Sequence, residues 1–305
     1  MKSSSLNTAI FAIIACLLWS SAFVGIKIGL PYTTPLHFAG TRFFISGLMI
    51  LPFTCGIKKY ITFLTKNIKI VLIISLLNTF IQYSMFYLGL SMVPAALAAI
   101  IIGAGPLFVA GVAHFMMPGD RMTWMKLLAF IFGFSGIVLV SLGRNEFSGI
   151  AQTGYMGIVL LLLVNLSSGF GNVFVARDAK NIPPLVLSSS TMIIGGGALF
   201  LFSLTVEGFH PEIKPLEYYA SLAWLSFLSA TAISIWFILL KRSDVKVSDL
   251  NFWKFLIPVI GAILAWIILP EEEISIVAVV GMSIIAISLI LLNILKRRQL
   301  RNPSP

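Results

Sequence analysis

Charge is what this 305-residue chain has least of: 11 Asp and Glu with 21 Lys and Arg, 10% in all, against roughly a quarter in soluble domains. So little charge cannot clothe a water-exposed surface. With 58% hydrophobic residues and a mean hydropathy of +1.01, the chain reads as an all-α polytopic membrane protein. Cysteine is scarce as well. Cys16 and Cys55 lie in or beside apolar runs and form no CxxC or zinc-ligand spacing, so both are expected to pack as small apolar side chains. The three histidines, His37, His114 and His210, stand on separate segments, and HExxH, GxSxG and paired carboxylates are all missing. No metal or cofactor is therefore expected, and the pattern does not suit an enzyme. Long polar stretches are missing too: the longest, roughly 56–69 and 207–217, are too short to bury a core. Deep acids complete the absences. Asp178, Asp249 and Glu207 sit at the ends of apolar runs, and Glu271, Glu272 and Glu273 share a turn. Proton-coupled carriers commonly relay through buried carboxylates or histidines, so facilitated flux or exchange is favoured, or coupling through His37 or His114.

What the chain does have is a long internal repeat. The stretch 95–142 returns without a gap as 247–294, matching Pro106 to Pro258, Ala110 to Ala262, Ala113 to Ala265, Pro118 to Pro270 and Leu139 to Leu291. Asp120 answers Glu272, and Thr123 answers Ser275. Each copy is an apolar run with a central proline, a Pro-plus-acid turn and a second apolar run: a transmembrane hairpin used twice. Duplication of this kind in a membrane protein points to transport, because one repeat can rock against the other around a site between them.

Apolar runs near the ~20 residues that a bilayer requires fall at 8–28, 35–55, 70–90, 94–117, 123–143, 153–175, 184–206, 217–240, 248–269 and 273–295. These predict ten transmembrane helices, five in each of two repeats, 1–148 and 149–305, the second with a short basic tail. The runs are continuous rather than alternating, and an open sheet cannot satisfy its backbone in lipid. Lys2 before the run Ala9 to Leu18 imitates a secretory signal, but there is no A-x-A site and the run continues to Leu30, so it is retained as the first span.

Loop charge sets the expected orientation. With the N-terminus inside, the inner side collects Lys2, Lys58, Lys59, Lys66, Lys69, Arg121, Lys126, Arg177, Lys180, Lys241, Arg242, Lys246 and the tail from Lys296 to Arg301. The outer side has only Arg144 and Lys214. Both termini are thus expected in the cytoplasm. An odd number of spans per repeat makes the repeats inverted. The net charge of +10 would suit nucleic acid, but its scatter through short loops marks topology instead.

Leu18-Trp19-Ser20-Ser21-Ala22-Phe23 in the first span, Arg42-Phe43 in the second, and Pro106 followed by the Pro118 to Thr123 turn resemble the EamA-type transporters of the drug/metabolite transporter superfamily. The resemblance covers essentially the whole chain. In the second copy the motifs are degenerate, Trp19 being answered by Asn165 or Leu166 and Arg42 by Thr191 or a neighbour. It implies a carrier of amino acids, small metabolites or toxic compounds, usually outward across a bacterial inner membrane, through a cavity between the halves.

Polar side chains in a span are costly and tend to face the protein interior. Asn78 and Gln82 stand one turn apart, with Thr79 and Tyr83 beside them, as a hydrogen-bonding wall or as interhelical glue. Asn165, Ser168 and Asn172 share a face, and Gly169 and Gly171 beside them permit close approach. Lys254, flanked by Asn251 and Trp253 and four residues before Pro258, suits an anionic group such as an amino-acid carboxylate. It equally suits carbonyls freed by the proline, or snorkelling to the surface. Arg42 is assigned a structural tie, and Lys27 is expected to snorkel. Trp19, Trp236 and Trp253 are too deep for an interfacial belt, whereas Trp124 and Trp224 fit one. His114 is expected to pack. Asp120 with Thr123, and Glu272 within Glu271-Glu272-Glu273, are expected to cap the helices that follow them. Pro106 and Pro258 lie mid-span in matching positions and are the candidate moving elements.

The expected lining is therefore Trp19, Asn78, Gln82, Asn165, Asn172, Trp236 and Lys254. The expected protein is a monomeric inner-membrane exporter of amino acids or other small metabolites, whose partners are its substrate and the lipid bilayer. A drug-efflux carrier is the alternative, with a non-transport receptor or assembly protein behind it.

Overall fold

The computed structural model describes residues 2–92, 101–142, 154–208, 213–268 and 276–301, and every regular element among them is helical. Helices are what such apolar runs must form, since lipid offers no partner for an open N–H or C=O. α1 (Lys2–Gly29) passes through the 3-10 segment Leu30–Tyr32 into α2 (Pro35–Ile50). Pro31 has no N–H to extend the first ladder, and Pro35 sits at the first position of the second, where that N–H would be unpaired anyway. After the 3-10 turn Leu51–Phe53, Gly56 takes φ +85°, a conformation natural to glycine, and opens α3 (Ile57–Lys66). The next span is continuous but changes pitch: α4 (Ile68–Ser75), a π segment (Leu76–Ile81), then α5 (Gln82–Met92). There follow α6 (Gly105–Met116), α7 (Trp124–Leu142), α8 (Gly154–Arg177), α9 (Pro184–Val206) and α10 (Leu216–Leu240). α11 (Val247–Asn251), the 3-10 turn Phe252–Phe255, α12 (Leu256–Ile268) and α13 (Ile276–Arg301) complete the chain.

Among the described residues, six helices are long and apolar enough to cross a membrane: Leu6–Ile26, Pro35–Phe53, Ile68–Leu90, Gly154–Arg177, Pro184–Val206 and Leu216–Leu240. The predicted count of ten is not established. The remaining predicted spans are met by the shorter apolar helices Ile101–Met116, Trp124–Leu139 and Val279–Ser288 and by the α11–α12 pair. Two of them are interrupted at Pro106 and Pro258, whose missing N–H breaks the ladder. A second departure is α3, which occupies a stretch expected to be a polar loop. Its Tyr60 is buried, with its hydroxyl 3.4 Å from that of Ser189, while Lys58 and Lys59 face outward. Cys16 is buried as expected, but Cys55 is exposed because the chain has already left the bundle there.

Helices of the first half pack mainly on helices of the second: α2 on α9, α7 on α13, α1 on α10, α5 on α8, α6 on α8 and α1 on α12. Exchanging the two halves leaves this set of pairings unchanged. The α2–α9 contact is close because small residues line it; a Cβ on Gly196 would stand 2.5 Å from the backbone N of Phe44.

Hydrogen bonds pin both ends of the bundle, within the second half at one end and between the halves at the other. At the end bearing the basic loops, Lys241 Nζ donates to the carbonyls of Ala179 and Ile182, and burial pushes its amine down to about 8. At the opposite end, Glu207 accepts from the backbone N–H of Leu36 and of His37, each at 3.0 Å. A carboxylate from the end of α9 thereby caps α2 and meets the positive end of its dipole.

Candidate functional site

The break at Pro258 builds the most concentrated polar group in the bundle. Without an N–H, Pro258 cannot bond the carbonyl of Lys254, and the chain tightens into the 3-10 turn Phe252–Phe255 before α12 begins. Neighbouring carbonyls are served by α1: Cys16 Sγ donates to Trp253 O at 3.3 Å and Ser20 Oγ to Ile257 O at 3.2 Å. Lys254 is turned between two indoles, its Nζ lying 4.8 Å from the Trp236 ring centroid and 5.5 Å from that of Trp19. The rings meet edge to face at 5.0 Å, the arrangement aromatic quadrupoles prefer. Trp236 Nε1 donates to Asn172 Oδ1 at 2.8 Å, and Asn251 Nδ2 approaches the same oxygen at 3.5 Å while donating to Val247 O at 3.0 Å. Asn172 Nδ2 turns back to Ser168 O at 2.6 Å. Asn251 Oδ1 is buried with no hydrogen-bond partner among the described residues.

Four predicted lining residues, Trp19, Asn172, Trp236 and Lys254, are thus in one contact group drawn from α1, α8, α10 and the α11–α12 turn. The other three, Asn78, Gln82 and Asn165, lie outside that contact group. Asn165 Nδ2 donates to Ile101 O at 2.5 Å, at the interruption where Ala104 turns before Pro106. Asn78 packs on Gly171, where any Cβ would fall far inside contact distance of its Oδ1, and that oxygen is buried without a partner among the described residues. Asn78 belongs to the π segment, a geometry frequent at functional sites, and Ser167 Oγ donates to the carbonyl of Leu77 at 2.7 Å. Gln82 is half-buried one turn on. Asn251, Cys16 and Ser20 join the group from outside the expected lining; the Asn251-x-x-Lys254 spacing, which puts both side chains on one face, was the available signal.

Arg42 forms a second group. It is 3% exposed; its Nε donates to Ser229 Oγ at 2.8 Å, and the guanidinium lies 4.8 Å from the Phe43 ring centroid, with Tyr83 and Tyr87 also beside it.

A third group joins the halves below the Lys254 site. Asp120 accepts from the Ser248 backbone N–H at 2.7 Å, from Ser248 Oγ, and from Lys126 Nζ at 3.0 Å. Lys126 Nζ also pairs with Asp249 Oδ1 at 2.7 Å. Asp120 therefore does not cap the helix that follows it. Thr123 does that, accepting from Lys126 N at 3.3 Å, while Asp120 caps α11 in the other half, because the 118–123 turn folds onto it. The matching turn with Glu271, Glu272 and Glu273 lies outside the described residues, as do Arg144, His210 and the side chains of Lys27 and Trp266. His114 is committed to its own turn, Nδ1 accepting from Met122 N at 3.0 Å. Trp124 is exposed, and the half-exposed Trp224 donates to Ser21 Oγ at 3.3 Å. A cleft of about 380 Å³ beside Pro31–Thr34 and Ile213–Pro215 lies at the other end of the bundle, away from all three groups.

The EamA-like transporter family matches this chain twice, over residues 6–142 and 155–294. The uncharacterized transporter YvbV of Bacillus subtilis (strain 168) is 26% identical over 298 residues, covering 96% of this chain and 93% of its own. The uncharacterized inner membrane transporter YedA of Escherichia coli (strain K12) is 24% identical over 268 residues, covering 84% of this chain and 80% of its own. A protein crystal structure superposes with a TM-score of 0.80 at 18% identity, over 96% of this chain and 98% of that one; at that identity the likeness is one of fold.

Proposed function

The chain belongs to the EamA-like transporter family and is a multi-pass membrane transporter, and from that premise we propose that it exports amino acids or other small polar metabolites by alternating access between two inverted repeats, 1–148 and 149–305. The single observation that carries this reading is the convergence of Trp19, Asn172, Trp236, Asn251 and Lys254 on the helix break at Pro258. Such side chains are expensive in an apolar bundle, and irregular backbone at membrane depth is tolerated only where protein buries it or it lines a cavity. Residues from both halves supply the group, so a relative movement of the halves changes who faces the substrate. Interruptions at matching prolines, Pro106 and Pro258, are the flexing points.

The Asp120–Lys126–Ser248–Asp249 cluster closes the end that carries the basic loops. By the distribution of Lys and Arg this is the cytoplasmic end, with both termini inside. The name of YedA supports a place in a bacterial inner membrane. The protein acts as a monomer. Arg42 holds α2 to α10 through Ser229, and Asn78, Gln82 and Asn165 form the flank of the same path.

The test is flux of a labelled pool of amino acids and metabolites in proteoliposomes, with and without a pH gradient. Movement of a defined subset, indifferent to pH, is expected. Asn78→Ala and Gln82→Ala should each slow it while leaving insertion intact; normal flux in both removes that flank from the path, and movement of nothing in the pool counts against the export reading.

A further inference from the structure

Among the described side chains, two cations, Arg42 and Lys254, lie within the bundle with no carboxylate shown within ion-pair distance. Described acids pair elsewhere: Asp120 and Asp249 with Lys126, Asp178 with Arg177, Asp244 with Arg242. Lys254 has two indole faces, and Arg42 has one phenyl face and one serine hydroxyl. Ring faces attract a cation but do not neutralise it, and a guanidinium keeps further donors beyond the one spent on Ser229. Next to Arg42, whose guanidinium it faces, the hydroxyl of Tyr87, a residue 3% exposed, is buried with no further hydrogen-bond partner among the described residues. A buried cation without a counter-ion is costly to keep.

The two cations are also aligned. Arg42 binds Ser229, and Lys254 faces Trp236. Both are α10 residues, two turns apart on one stripe, roughly 10 Å along the axis by helix geometry. Half-buried Ile233, the turn between them, keeps the stripe apolar.

We propose, building on the transport reading above, that the cargo is a small anion carrying a carboxylate or a similar oxyanion, and that Arg42 with Tyr87 and Lys254 with its two indoles are successive stations for it along α10. At the first station the guanidinium and the Tyr87 hydroxyl donate to the oxyanion. At the second the ammonium takes it over, while the indoles cover whatever apolar part the cargo carries. Arg42 is on this account a binding residue as well as a tie.

The test compares matched pairs on the detergent-purified full chain: benzoate with benzamide, succinate with succinamide, glutamate with glutamine, indole-3-acetate with indole-3-acetamide. Binding is read from tryptophan quenching and thermal stabilisation. At least one carboxylate is expected to bind on the order of ten- to a hundredfold more tightly than its amide, the worth of a charge-assisted hydrogen bond. Arg42→Gln and Lys254→Gln should each lose a similar factor, and Arg42→Lys and Lys254→Arg should keep most of it. The wild-type comparison stands even if a Gln variant fails to fold. Overturning results are a panel in which no carboxylate surpasses its amide, or unchanged carboxylate binding in both folded Gln variants. Flux in proteoliposomes separates the two claims: amides carried as well as carboxylates would leave transport standing and remove the anion stations, whereas a carboxylate bound at both stations but never carried would do the reverse.

Discussion

Lys126 is the residue whose removal most directly tests whether the cluster at the basic end works as a latch. Its ammonium is 12% exposed and stands between Asp120 and Asp249, 2% and 9% exposed. In Lys126→Met the two carboxylates are left together with no cation. An uncompensated buried charge costs about 3–5 kcal/mol, and in this case like charges add to it. Asp120→Asn is milder, because the Lys126–Asp249 pair survives and only the charged cap on Ser248 is weakened, at about 1–3 kcal/mol. Removing both should cost less than the sum of the single changes. If the cluster forms only while this end is closed, its loss favours the open form by roughly a hundred- to several-thousandfold for Lys126→Met. A native reporter sits nearby: Cys16 is fully buried against Trp253 O, about one turn beyond the latch residues Ser248 and Asp249. In a Cys55→Ser background, which removes the exposed thiol, maleimide should label Cys16 far faster in Lys126→Met than in the parent, with Asp120→Asn between them and Lys126→Arg close to the parent. A thermal destabilisation of the full amount with no change in the Cys16 labelling rate would refute the latch and leave a purely structural ion cluster.

Three further outcomes follow from close contacts and buried charge. Gly171→Ala places a Cβ on Asn78 Oδ1 and should cost about 1–3 kcal/mol by overpacking, measured by thermal unfolding; adding Asn78→Ala should recover stability without restoring flux. Glu207→Ala removes the carboxylate that receives the Leu36 and His37 amides and should cost about 1 kcal/mol, Glu207→Gln costing less; equal stability of all three forms would discount the cap. Lys241 has its amine lowered to about 8 by burial, so between about pH 8 and the ordinary lysine range the unfolded chain binds more protons than the folded one. Stability contributed at this site should therefore rise with pH through that window, and the melting-temperature difference between wild type and Lys241→Met should move in favour of wild type from pH 7.5 to 9.5; a flat difference contradicts it.

Much of the architecture was legible because it rests on composition and period. Continuous apolar runs have one backbone solution in lipid, so the long helices at Pro35–Phe53, Gly154–Arg177 and Leu216–Leu240 fall within a few residues of where hydropathy puts them. Trp19, Asn172, Trp236 and Lys254 could be singled out because deep polar and indole side chains are rare. α3 escaped notice because its apolar arc is short and interleaved with Lys58, Lys59 and Lys66, a pattern that hydropathy averages into a polar loop. The π segment around Asn78 escaped as well, since it is a matter of hydrogen-bond register that leaves no mark in composition.

The sequence by itself determined that this chain is a helical membrane protein, that its two halves repeat, and where prolines must interrupt its helices, because each of these depends on local covalent and solvation chemistry. Only the tertiary structure decided which residues meet. Asp120 looked like the cap of its own helix and proves to cap α11 in the other half. Lys254 had three plausible neighbourhoods and lies between Trp19 and Trp236. Asn165 and Asn172 share one helical face, yet one bonds the Ile101 carbonyl and the other the Trp236 indole. Such partners are distant along the chain, and they are chosen by how the two halves pack, which no local pattern encodes.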